Sequence, residues 1–236
     1  MKPLFKNQKE SVEKMQNAPC FFDQSEPGTG KTRVQIELIR QLAESDSKHR
    51  ALVTATLSTT TSAWLEDFKQ FAPDLKVVVA LSPNLQKRFQ TPADVYITNH
   101  DSVKWLADPE NKQTFREAFG SYGTIVHDES TVFKHHTSQR SKDLAQFFIR
   151  KRNLSGLADP NGLTDLWHQY LLLDGGKRLG ISFSKFQQTF YTSHKTWVRD
   201  SLCVNKWTEK ENSARIIAQL TRDITIKHLF VDCQDI

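Results

Sequence analysis

Residues 18 to 32 read Ala18-Pro19-Cys20-Phe21-Phe22-Asp23-Gln24-Ser25-Glu26-Pro27-Gly28-Thr29-Gly30-Lys31-Thr32, and this stretch decides the fold. Residues 18–23 are a short apolar run, read as a buried strand. From 31 to 45, Val34, Ile36, Leu38, Ile39 and Leu42 recur at helical spacing. A strand, a glycine turn ending Gly30-Lys31-Thr32 and a helix together make a phosphate loop, with Ser25 where the first glycine is usual. Gly28 and Gly30 let the loop from Glu26 to Thr32, with Pro27 and Thr29 completing the curve, wrap phosphate oxygens with its free backbone N–H groups. The helix N-terminus adds a field that favours an anion. Lys31 then neutralises the β and γ phosphates of ATP, and the Thr32 hydroxyl suits Mg²⁺. A chance glycine turn is the bland alternative; the strand before it and the helix after it weigh against that.

The same pattern continues along the chain. A helix is expected at 5–16, with Val12 and Met15 on one face, and another at 59–71 carrying Trp64, Leu65, Phe68 and Phe71. Further strands are expected at 50–56, 75–81, 93–98, 122–128 and 151–155, and further helices at 110–119, 139–149 and 163–173. Such alternation predicts an α/β fold, a parallel sheet with helices on both faces and ligands at the carboxyl ends of its strands. Beyond 175 the alternation weakens. Residues 181–236 read as mainly helical with a few short strands. The expectation is one domain over 1–236, with a core of about 1–175 and a terminal extension of about 176–236.

Residues 124–129, Thr124-Ile125-Val126-His127-Asp128-Glu129, are an apolar strand ending in two carboxylates. Asp128 can hold Mg²⁺ directly or through water, and Glu129 can orient or deprotonate the attacking water. Alone such a pair is weak; it gains value by following a phosphate loop.

At this point the chain resembles the first RecA-like lobe of a superfamily-2 helicase of the Snf type, the DNA translocases that phages and bacteria carry. Leu4-Phe5-Lys6-Asn7-Gln8 resembles the adenine-reading Q motif, with Gln8 as its amide. Thr54-Ala55-Thr56, with Trp64, Glu66 and Phe68, and Tyr96-Ile97-Thr98-Asn99-His100 resemble the two motifs whose strand ends touch DNA phosphates. Asp128-Glu129-Ser130-Thr131 stands where the family has its acidic box. Leu154-Ser155-Gly156, continuing through Asn161-Gly162-Leu163-Thr164-Asp165-Leu166-Trp167, resembles the motif coupling nucleotide to movement. The resemblance implies an ATP- and Mg²⁺-dependent hydrolase acting on DNA in replication, recombination or repair, with Lys31, Asp128 and Glu129 catalytic and Thr56, Thr98 and Asn99 on DNA. Each weaker motif has a bland twin: Gln8 solvated, Trp64 and Phe68 core, Thr56 and Thr98 helix caps.

The composition is that of an ordinary globular protein: 38% hydrophobic and 25% charged, enough for a sizeable core without metals or disulfides. Thirty-two basic and 27 acidic side chains give +5, which permits a polyanion partner without demanding one. No run of about 20 apolar residues is present, so no membrane partner is expected. Met1 to Phe5 carry no hydrophobic export signal. Cys20, Cys203 and Cys233 are odd in number and far apart, fitting a reducing cytoplasm, the host's if a phage encodes the chain. His135-His136 lack further ligands at metal spacing and read as surface residues.

Two departures qualify the resemblance. Ser155-Gly156-Leu157-Ala158 lacks the family's second threonine, which leaves coupling to movement open. No second set of motifs, and so no arginine finger, is found before Ile236; Arg215 and Arg222 lack that lobe's signature. The expected partner is therefore a second polypeptide carrying the other lobe, with an excised piece or a helicase relic as alternatives. The relic, a non-catalytic module binding DNA or a host protein, is the rival function. A small-molecule kinase leaves the motifs at 54–68, 96–100 and 154–167 unexplained.

Overall fold

The computed structural model describes residues 3–119, 123–133, 148–199 and 202–233. Seven parallel strands form the central sheet: β1 (Cys20–Asp23), β2 (Arg50–Ala55), β3 (Val77–Val79), β4 (Val95–Asn99), β5 (Gly123–His127), β6 (Arg150–Leu154) and β9 (Thr225–Ile226). Their spatial order is β3-β4-β2-β5-β6-β1-β9. Between β6 and β9 in the chain, β7 (Tyr191–Arg199) and β8 (Leu202–Glu209) form a separate antiparallel ribbon.

The strands are apolar on both sides because both faces are covered. Successive residues alternate between the two. Phe21 packs with Val34 and Leu38, and Phe22 with Tyr170 and Leu173 on the opposite face. Leu52, Tyr96 and Ile125 join Phe89 and Phe119, whereas Val53, Ile97 and Val126 join Ile36, Trp64 and Phe68. The first face is closed by α1 (Lys6–Met15), α2 (Lys31–Ser45) and α3. Helix α3 runs through three contiguous pieces: Leu57–Thr59, the π-helical Thr60–Leu65, and Glu66–Phe71. The other face carries α4 (Leu85–Phe89), α5 (Val103–Leu106), α6 (Lys112–Phe119) and α7 (Thr164–Asp174).

This is the expected RecA-like sheet. Helices α4 and α5, of five and four residues, are too short for periodicity to reveal. The helix expected at 139–149 lies outside the described residues except at Phe148 and Ile149, which are not helical. The terminal region has the expected helices, α8 (Phe183–Phe190) and α9 (Ser213–Thr221), but its ribbon strands reach nine and eight residues and are not short. The region also returns to the sheet, since β9 pairs with β1 through Phe22↔Thr225 and Asp23↔Ile226.

Because every sheet strand runs the same way, all carboxyl ends lie along one edge. There β1 delivers Ser25, β2 delivers Thr56, β4 delivers Asn99, β5 delivers Asp128 and β6 delivers Ser155.

Candidate nucleotide site at the carboxyl edge

The loop after β1 is built around two left-handed glycines, Gly28 at φ 83° and Gly30 at φ 85°. Helix α2 begins at Gly30 with no side-chain cap, so its first N–H groups have no partner of that kind. Lys31 Nζ lies inside the curve, donating to the carbonyls of Ser25 (2.6 Å) and Glu26 (3.1 Å). Thr29 Oγ1 donates to the Glu26 carbonyl at 2.8 Å. Thr32 sits in the first turn of α2, half-buried.

Gln8 is buried, not solvated. Its Oε1 accepts from the Phe5 N–H at 3.1 Å, closing the start of α1. Asn7 Nδ2 donates to the Thr29 carbonyl at 3.0 Å. The residues resembling the Q motif thus rest on the loop itself.

The positive charge of Lys31 acts on three carboxylates: Asp23, Asp128 and Glu129. Burial pushes the Asp128 carboxyl above its usual range, opposed by the N–H groups of Trp64 and Glu129 and by Lys31. Trp64 Nε1 donates to Asp128 Oδ2 at 2.8 Å. Glu129 is raised by burial and then by the negative charge of Asp128. Its φ of 48° is uncommon for a side-chain-bearing residue and costs on the order of 1–2 kcal/mol.

The segment after β6 touches both neighbours. Ser155 N donates to the Asp23 carbonyl at 3.0 Å. A Cβ on Gly156 would come within 2.8 Å of Pro27 Cδ, so only glycine fits there without a shift. Leu157 is exposed and Ala158 buried. Gln169 bridges this segment to the acidic box: Ser130 Oγ donates to Gln169 Oε1 (2.7 Å), and Gln169 Nε2 donates to the carbonyls of Ala158 (2.7 Å) and Asp165 (2.9 Å).

Of the three residues expected on DNA, Thr56 and Asn99 are half-buried at the edge. Thr56 Oγ1 pairs with Thr59 Oγ1 at 2.9 Å, and Asn99 Oδ1 accepts from Ser102 Oγ at 2.5 Å. Thr98 differs. It is fully buried and its hydroxyl donates to the Ala80 carbonyl at 2.6 Å, so that hydroxyl faces the sheet interior and not a phosphate. The strand alternation that exposes residue 99 turns residue 98 inward.

Several contributors were not singled out from sequence. Asp23 is buried at the end of β1 and accepts from Ser25 N at 3.0 Å; burial raises its carboxyl. The segment after β9 lies against the loop. His228 N donates to Ser25 Oγ (3.0 Å), Phe230 N donates to Glu26 Oε2 (2.8 Å), and the Phe230 ring stands over Gly28. An Asp closing an apolar strand was a visible signal for Asp23. For Phe230, with β9 only two residues long, no periodic signal existed.

A profile of the SNF2-related domain family matches residues 11–234. Protein p41 of Acyrthosiphon pisum secondary endosymbiont phage 1 is 28% identical over 178 residues, covering 70% of this chain and 37% of its own. The chromatin-remodeling ATPase INO80 of Eremothecium gossypii is 25% identical over 157 residues, covering 60% of this chain and 11% of its own. Among solved structures, the Sulfolobus solfataricus SWI2/SNF2 ATPase core in complex with dsDNA superposes with a TM-score of 0.73 at 20% identity, covering 97% of this chain and 45% of that one. The chain therefore spans less than half the length of each of these relatives. Among the described residues, no helix is long and apolar enough to cross a membrane. The profile match, the fold and the motif order agree: this chain belongs to the SNF2-related domain family and corresponds to its N-terminal RecA-like lobe.

Proposed function

We propose that the chain is the nucleotide-binding lobe of a DNA-dependent ATPase of the Snf type, binding ATP with Mg²⁺ between Gln8, the loop at 25–32 and Asp128-Glu129. The observation that carries this reading is the placement of Lys31. Its ammonium group lies inside the glycine loop, on the same carboxyl edge to which β5 delivers Asp128 and Glu129, so phosphate and metal ligands face one edge.

The donor set fits the group. An uncapped helix start and two left-handed glycines suit phosphate oxygens. Mg²⁺ is commonly held by one or two carboxylates plus substrate phosphates; Asp128 would supply the carboxylate and ATP the phosphates, with the Thr32 hydroxyl as a further oxygen. When bound, the ion would neutralise charge developing on the transferred phosphoryl oxygens. Lys31 leaves the carbonyls of Ser25 and Glu26 for phosphate. Glu129, raised by burial and by Asp128, accepts a proton from the attacking water.

DNA is the partner this reading implies, met at the edge by Thr56 and Asn99 through backbone-positioning contacts that read no sequence. A second RecA-like lobe, on this or another polypeptide, supplies a further cation to the transferred phosphoryl group. Such a cation is worth about 10³–10⁵ in rate. The test is steady-state phosphate release from the 236-residue chain with duplex DNA. Turnover should be barely detectable alone, rise by orders of magnitude when a second lobe is supplied, and vanish in Glu129→Gln. Brisk turnover by the lone chain would overturn the dependence on a second lobe.

A further inference from the structure

Trp64 is the largest fully buried side chain described, yet it is not only filling space. Its indole N–H is aimed at Asp128 Oδ2 at 2.8 Å, across 64 residues of chain. A phenylalanine there would fill much of the same volume and leave that oxygen without its donor. The stretch bearing Trp64 is also irregular: Thr60–Leu65 is π-helical between two α-helical pieces. Such insertions are rare and concentrate at functional positions. The helix they interrupt starts at Thr56 on the carboxyl edge, with Leu57 and Ser58 exposed beside it. One element therefore begins at the carboxyl edge and bonds, two turns on, to the half-buried carboxylate of the acidic box.

We propose that Trp64 is a positioning residue. It holds the Asp128 carboxylate in place for the metal through its indole N–H. This rests on Asp128 being the metal carboxylate. The Asp128 backbone is anchored separately, its N–H donating to the Thr54 carbonyl at 2.9 Å, so the indole acts on the side chain.

The test uses Mn²⁺ as the probe, followed by electron paramagnetic resonance on the ADP-loaded 236-residue chain. Trp64→Phe should weaken Mn²⁺ binding by roughly tenfold, the change expected from one lost hydrogen bond to a charged acceptor. Its affinity for metal-free ADP should not change. Asp128→Asn is the control. If Asp128→Asn loses the metal and Trp64→Phe does not, the positioning role is wrong while the site stands. If Asp128→Asn also binds Mn²⁺ normally, the metal assignment itself fails, and the proposal with it. A second readout needs no activity and no folded Trp64→Phe. The Trp64 indole ¹H–¹⁵N resonance, identified as the one that moves in Asp128→Asn, should shift when Mg²⁺ is added to the ADP-loaded chain. A resonance unmoved by saturating Mg²⁺ would overturn the positioning role.

Discussion

The amide of Gln8 lies so close to Gly30 that a Cβ on that glycine would stand 2.2 Å from Gln8 Nε2. The first helix and the glycine loop are thus one packed unit, and the left-handed φ of Gly30 is only half of why glycine sits there.

Gly30→Ala should accordingly lose more than the roughly 1 kcal/mol of a left-handed backbone penalty, because Gln8 must also be displaced. Urea unfolding would show a lower midpoint, and ATP-analogue affinity should fall with it. Gln8→Ala opens the space and should restore part of the stability of Gly30→Ala. Additive losses in the double variant would contradict the packed-unit account.

Gln169→Leu tests the bridge between the acidic box and the segment after β6. The substitution strands the Ser130 hydroxyl and the Ala158 carbonyl, both buried. A loss of about 1–3 kcal/mol is expected from unfolding in urea. If the bridge also compensates for Leu157-Ala158, phosphate release stimulated by a second lobe should fall while nucleotide affinity stays the same. An unchanged rate would mean that coupling does not pass through Gln169.

Acid should destabilise the fold before the carboxylates titrate. Burial holds His49 down to about 4 and His127 to about 3, against an unfolded value near 6.5. Each is neutral when folded, so the unfolded chain binds more protons between those values and 6.5. Their contribution is complete above pH 6.5 and is lost as pH falls toward 4. The denaturation midpoint should drop between pH 7 and pH 5. In His49→Gln, which can still meet Thr124 Oγ1, that drop should be smaller. An equal drop would place the effect on other groups.

Legibility followed sequence distance. Ser25 to Thr32 could be read because eight adjacent residues carry the whole motif. Asp128-Glu129 could be read because an apolar strand runs into two charges. The Trp64–Asp128 bond could not, since helical spacing marks Trp64 as core and says nothing of where its N–H points. The inward hydroxyl of Thr98 is hidden as well, because a motif names a strand end as one surface whereas alternate residues face opposite ways. The contact of Phe230 with Gly28 was invisible for a different reason. It depends on a two-residue strand beside β1, formed through tertiary pairing and without a pattern of its own.

The central claim is that the loop at 25–32 holds ATP through Lys31. Titration of a fluorescent ATP analogue into wild type and Lys31→Ala tests it most directly. Saturable binding by wild type and none by Lys31→Ala, with both proteins folded by circular dichroism, is the predicted result. Equal affinities would contradict the phosphate-loop assignment and every role built on it.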